Sequence, residues 1–183
     1  GWGGRPTEDG ESATVSVCQG DVRNGSIEGI ELKCPVLVEG RALRTDSAGA
    51  GKHRGGLGID MQVKNLVEGR WNFEQTRRNI CPPWGLWGGG DGDPSAYLLR
   101  LPGENDFKMM VGAHIPVPLH ASAIVRTGGG GGWGDPRERD PELVRADVME
   151  ELVSRDAARE KYGVVLRDDF TVDVEATKKQ RSR

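Results

Sequence analysis

The stretch Arg44-Thr45-Asp46-Ser47-Ala48-Gly49-Ala50-Gly51-Lys52-His53-Arg54-Gly55-Gly56-Leu57-Gly58 decides how this chain is read. Its fifteen residues hold five glycines and four cationic or imidazole side chains. Glycines this dense allow a backbone to approach another surface closely, and Lys52 and Arg54 add positive charge. Two phosphate-binding templates can be tested against it. A Walker loop needs glycine five residues before the Gly51-Lys52 pair and Ser or Thr after the lysine, but the chain has Asp46 and His53. A dinucleotide fingerprint starting at Gly49 needs glycine where Arg54 stands. Both fail.

Working outward, two further stretches share the same character. One is Cys81-Pro82-Pro83-Trp84-Gly85-Leu86-Trp87-Gly88-Gly89; the other runs from Thr127 through Gly128 to Gly132 and on to Trp133-Gly134-Asp135-Pro136, with Arg139-Asp140-Pro141 behind. The 28 glycines are about twice the average share of ~7% and gather at these three places. Tryptophans sit among them, so the loops carry large apolar surface, a composition that disordered linkers avoid. Ordered, tightly packed loops are expected.

Asp46-Ser47-x-Gly49-Ala50-Gly51-Lys52-x-Arg54-Gly55-Gly56-Leu57-Gly58 resembles the signature of the hydantoinase B/oxoprolinase family. The proline-tryptophan-glycine and polyglycine stretches resemble two further segments of that family, in the same order, with Asp147-Val148, Ser154 and Tyr162-Gly163-Val164 following. Ala48 stands where the family usually has glycine. The resemblance implies part of the B-type subunit of an ATP-dependent enzyme that opens cyclic amides such as hydantoins, 5-oxoproline or lactams. ATP and Mg are then expected in a partner A-type subunit. A divalent metal is expected in an N-terminal part of the B-type chain, and none in this segment. The chain, opening on Gly1-Trp2-Gly3-Gly4, is expected to be the C-terminal part of a longer polypeptide. Ketone carboxylases that use ATP and bicarbonate contain similar subunits, and the motifs do not separate the two. A segment serving only in assembly is the third reading.

The net charge of −3 gives no electrostatic reason to expect nucleic acid or an anionic membrane. No apolar run approaches the ~20 residues that span a bilayer. Cys18, Cys34 and Cys81 are odd in number, with no Cys-x-x-Cys pair, which fits a reducing cytoplasm better than a disulfide framework.

The fold class expected is α+β, a β-rich body with glycine-rich loops (residues 1–139) followed by a helical segment of the same domain (140–183). Strands are expected at Thr14 to Cys18, after the Asn24-Gly25 turn at Ile27 to Leu32, at Tyr97 to Leu101, at Phe107 to Val111 and at Ala123 to Arg126. Pro35 demotes Val36 to Val38 to an edge or strand start, and prolines do the same for Ile115 to Leu119. Ile59, Met61 and Val63 alternate, as do Trp71 and Phe73 after Glu68-Gly69, which predicts a hairpin. Asp140 with Pro141 predicts a capped helix with Val144, Val148 and Leu152 in line, and Ser154 a second one ending at Gly163. Val164 to Leu166 and Phe170 to Val174 read as strands, and Lys178 to Arg183 as a frayed tail.

For chemistry, Arg44, Lys52 and Arg54 are candidates to hold a phosphorylated or carboxylated species, or to pair with Asp46 or Asp60 and pin the loop. Arg139 with Asp140, or Arg126 with Asp135, invites the structural reading. Gly129, Gly131 and Gly134 meet a G-x-G-x-x-G pattern, but Asp135-Pro136 stands where a nucleotide-binding helix would begin. The polyglycine run could form a nest of N–H groups for an anion or a substrate carbonyl. A tight crossing of loops at the core is the favoured reading. The candidate contacts are thus Arg44, Asp46, Lys52, Arg54, Trp84, Gly129, Gly131, Asp135 and Arg139, with no catalytic residue identified. His53, His114 and His120 lack metal-ligand spacing. Ser47 lacks a base other than His53, and Cys81 reads as a small hydrophobe.

Overall fold

A computed structural model describes residues 1–15, 25–73 and 80–182. Seven strands and four α-helices occur among them: α1 (Ile27–Lys33), β1 (Val36–Leu43), β2 (Ile59–Asn65), β3 (Gly69–Phe73), β4 (Ala96–Arg100), β5 (Lys108–Met109), β6 (Gly112–Val117), β7 (Ser122–Arg126), α2 (Pro141–Met149), α3 (Arg155–Glu160) and α4 (Val174–Arg181). The strands form an antiparallel five-stranded sheet in the order β1-β2-β7-β4-β5 and a two-stranded sheet of β3 with β6. The expected α+β class is the class observed.

Alternation along the strands builds the first core. Val63, Leu99 and Ala123 from the large sheet meet Phe73 and Val117 from the small one, with Ala121 between them. The Phe73 and Tyr97 rings meet edge-on with centroids 6.0 Å apart, a geometry that suits their opposed quadrupoles. The prolines behave as expected: Pro35 precedes β1 at the sheet edge, and Pro116 lies in the two-stranded sheet.

A second core joins the helices to the first glycine motif. Val144 and Val148 of α2, Ala157 and Ala158 of α3, Val153, Tyr162 and Val164 pack around Ala50. Asp140 caps α2 by accepting from the Glu142 amide, and Ser154 caps α3 by accepting from Ala157. Gly163 takes φ +65°, the left-handed bend foreseen after this helix.

Four expectations fail. Ile27 to Leu32 is not a strand but α1: Ser26 accepts from the Gly29 amide, Glu28 lies in the first turn and Lys33 in the last, all favouring helix. The hairpin of Ile59–Val63 with Trp71–Phe73 does not form. Both edges of β2 are already bonded, to β1 and to β7, so β3 turns away to β6. Fully buried Asn65 holds that departure, its amide donating to the carbonyls of Val67, Val117 and Pro118. In place of strands at 164–166 and 170–174 there is a single bridge, Leu166 to Val172. The supposed frayed tail is α4 as far as Arg181, capped by Asp173 and tied down where Arg181 donates to the carbonyls of Tyr162 and Arg139. Most of Thr14 to Cys18, and Asn24 of the Asn24-Gly25 turn, lie outside the described residues; Thr14 and Val15 carry no strand.

Candidate functional site

The three glycine stretches converge on one corner. His53 and Trp133 exchange backbone hydrogen bonds at 3.0 and 2.8 Å, and Leu86 bridges the same segment through Gly132 and Gly134 at 2.9 Å each. The run Gly129 to Gly132 lies at the centre, enclosed by backbone. A Cβ placed on Gly129 would fall 1.9 Å from the Ser47 carbonyl oxygen, on Gly130 1.8 Å from that of Trp2, and on Gly131 2.0 Å from that of Trp84. On Gly132 it would fall 2.0 Å from the carbonyl oxygen of Ala50. The facing neighbour therefore changes at each residue and returns after three to the 47–50 segment. That is the rotation of an extended, threefold polyproline-II-like chain, whose polar groups point outward to other chains.

The hydrogen bonds agree. Gly129, Gly130 and Gly132 donate to Asp93, Gly56 and Gly90, while the carbonyls of Gly128, Gly130, Gly131 and Gly132 accept from Gly1, Gly49, Gly4 and Leu86. With no side chains, the segments 1–4, 47–56 and 84–93 can each approach to amide contact. Neighbouring loops take up most of the polar groups of this run, as close crossing of backbones requires. The first four residues, whose Gly-Trp-Gly echoes residues 132–134, lie alongside the polyglycine run itself.

Beside the bundle lies a largely buried ion cluster. Arg139, 2% exposed, places its fork on Asp9 at 2.7 Å through both Nη atoms and on Asp147 at 2.9 and 3.1 Å, and also donates to the Lys52 carbonyl. Arg54 donates from Nε to Asp147 at 2.9 Å, while its amide reaches Asp9. Arg54, Arg139 and Asp147 are buried and Asp9 is half-buried, and the two arginines and two aspartates balance in charge. Burial by itself would raise the Asp9 carboxyl, but the hydrogen bonds and charge of Arg139, with Arg54 behind it, outweigh that and hold it below its usual value. Burial likewise pushes the Tyr162 phenol well up, keeping it neutral beside these charges.

The remaining candidates divide between this cluster's surroundings and the surface. Arg44 pairs with Asp60 at 3.3 Å and Asp93 at 3.1 Å and donates to the carbonyls of Pro94 and Thr127. Arg126 also binds Asp60, not Asp135, and Arg139 does not pair with Asp140. Asp46 pairs with no arginine among the described residues. At φ +64° it accepts from the Ser154 amide and donates its own to Leu152, clamping the glycine loop to the α2–α3 connection. Ser47 is fully buried, its hydroxyl donating to Arg44 and accepting from Gly58. Lys52 is exposed and 3.6 Å from Glu138, and Asp135 is exposed and caps a 3-10 turn, Pro136–Glu138. Trp84 is exposed and borders a cleft of ≈ 310 Å³ together with Gly131, Cys81 and Pro83.

Asp9 escaped the sequence reading because nothing local marks it. Asp147 did carry a signal: a carboxylate on the apolar stripe of α2, between Val144 and Val148, needs a buried cation. Cys34 and Cys81 are free thiols. Among the described residues no three His, Cys, Asp or Glu side chains gather as ligands for a metal ion, and no helix is long and apolar enough to cross a membrane. The residues described here therefore do not fit the divalent metal that the resemblance places elsewhere.

A corner of interlocked glycine segments, with a charged cluster locking them to a helical cap, defines a scaffold built from backbone. The chain belongs to the hydantoinase B/oxoprolinase family, whose pattern matches residues 1–136 and so includes all three glycine stretches. It is 34% identical over 185 residues to the B-type subunit of a putative D-/L-hydantoinase of Pseudomonas sp. strain NS671, covering 98% of this chain and 30% of that protein. The crystal structure of ATP-dependent caprolactamase from Pseudomonas jessenii superposes with a TM-score of 0.69 at 30% identity, covering 87% of this chain and 28% of that one. A nucleotide-free structure of acetone carboxylase shares the fold with a TM-score of 0.77 at 23% identity, over 97% of this chain and 28% of its own. The chain thus spans about three tenths of the length of the relatives it matches.

Proposed function

We propose that this chain is part of the B-type subunit of an ATP-dependent enzyme that opens cyclic amides. The observation that supports it most is the match to the whole glycine corner in a family whose relatives at 30% identity or above include a hydantoinase subunit and an ATP-dependent caprolactamase. In this reading ATP and Mg are bound by an A-type partner subunit, and the divalent metal by other residues of the B-type polypeptide. The present residues supply wall and scaffold. Arg44, Arg54 and Arg139 act by holding the corner together, their donors being taken up by carboxylates and carbonyls. Lys52, Trp84 and Asp135, whose side chains remain exposed, face the rest of the enzyme.

The test is ATP turnover by the complete complex with a panel of hydantoins, 5-oxoproline and lactams. Hydrolysis stimulated by a cyclic amide in bicarbonate-free buffer is the expected result. Turnover that requires bicarbonate and a ketone would replace this reading with a carboxylase.

A further inference from the structure

The turn from Ile80 to Gly90 gathers several exposed large apolar side chains, Ile80, Trp84, Leu86 and Trp87. Within it Trp84 is 71% and Trp87 77% exposed, and Leu86 between them is also exposed. The turn is held from below and not by these side chains: Gly85 donates to Asp91, Leu86 to Gly132, Gly89 to Leu86 and Gly90 to Ala50. Trp87 adopts φ +56°, a left-handed conformation that a bulky side chain rarely takes. Its only ring partner among the described residues is Trp133, at 5.8 Å. A left-handed backbone that presents most of an indole to water gains only that one ring contact within the described fold, which points to a further contact outside it. Beside it, the cleft between Pro82–Trp84 and Gly3, Gly130 and Gly131 offers a mostly apolar seat of ≈ 310 Å³ for a bulky apolar side chain.

The chemistry of the turn selects the occupant. From Ile80 through Gly90 the sequence contains no charged residue. Surfaces that meet a transient partner keep polar and charged rims, whereas permanent interfaces resemble a domain core cut in half. The matched relatives carry this fold within polypeptides more than three times its length, and tethered chain has a high effective concentration. We propose that the Ile80–Gly90 turn is a permanent, core-type interface on which the remaining length of the same B-type polypeptide packs, with Trp84 and Trp87 as its anchors. The inference rests on the B-type reading.

The test is hydroxyl-radical footprinting of the full-length B-type subunit, with tryptophan oxidation followed by mass spectrometry. In the isolated subunit Trp84 and Trp87 should oxidise about tenfold more slowly than in the same chain unfolded in guanidinium, as befits a desolvated interface. Protection that appears only when the A-type subunit is added would give the surface to that partner and overturn the proposal, as would exposure in the complete complex. Trp87→Ala in the full-length subunit should lower its melting temperature while leaving A-type binding unchanged; the reverse pattern overturns the proposal, and a variant that does not fold leaves the footprint of the native subunit to decide. Loss of the hydrolase reading by the turnover assay would leave these protections as they are, so the two failures are distinguishable.

Discussion

The sheets and the glycine corner solve the same packing problem with opposite materials. Between the sheets, Val63, Phe73, Leu99 and Val117 fill space with side chains, and the backbones stand apart. In the corner there are almost no side chains, and carbonyl meets Cα directly. Side-chain cores can repack around a change of shape, whereas a backbone contact has no rotamer to adjust. The corner is therefore the more brittle of the two regions.

The largest expected effect follows from that difference. Gly130→Ala would place a methyl 1.8 Å from the Trp2 carbonyl, so the folded state should be lost, seen as the absence of a cooperative melting transition. Gly40→Ala, in β1 with open space around it, should change stability by no more than ~0.5 kcal/mol, as surface substitutions generally do. Equal effects at the two positions would end the contrast.

Asp147→Asn comes next. It removes the charge facing both Arg54 and Arg139, and breaking a buried pair costs about 3–5 kcal/mol. Denaturant unfolding of the variant would show it, and a change near zero would mean that the cluster does not lock the helices to the corner. In the sheet core, Leu99→Ala should cost about 2–5 kcal/mol but Leu99→Met under ~1.5 kcal/mol, the tolerance the corner lacks.

The smallest effect is on pH dependence. The Asp9 carboxyl is held below its usual value, so folding favours its charged form. Its contribution is complete above the unfolded pKa of about 4 and is lost as pH falls through the lower folded value. Melting temperature should therefore decline below about pH 4. Asp9→Asn should be less stable at neutral pH, with a shallower decline in acid.

How far the chain could be read depended on how local each cause was. α2 was legible because Asp140, Pro141 and the Val144–Val148 spacing lie within one short segment. α1 had comparable marks in Ser26, Glu28 and Lys33, but its isoleucines and leucine also fitted a short alternating pattern. The hairpin was misread because the pairing of β3 depends on both edges of β2 being occupied, by β1 and by the distant β7. Asp46 offered two arginines as neighbours in sequence and instead binds a backbone amide 108 residues away. In the candidate site, the glycines and tryptophans announced close contact, while the partners of Arg54 and Arg139 came from Asp9 and Asp147.

The amino-acid order by itself determined the α+β class, the capped helices α2 and α3, the edge strands and the glycine clusters that mark the family, because each arises from neighbouring residues and intrinsic backbone preference. Only the tertiary structure decided which segments the polyglycine run would touch, which carboxylate each arginine would take, and which tryptophans would be left facing outward. Those outcomes depend on segments up to 130 residues apart meeting at a point, as Arg139 meets Asp9, and no local preference encodes such a meeting.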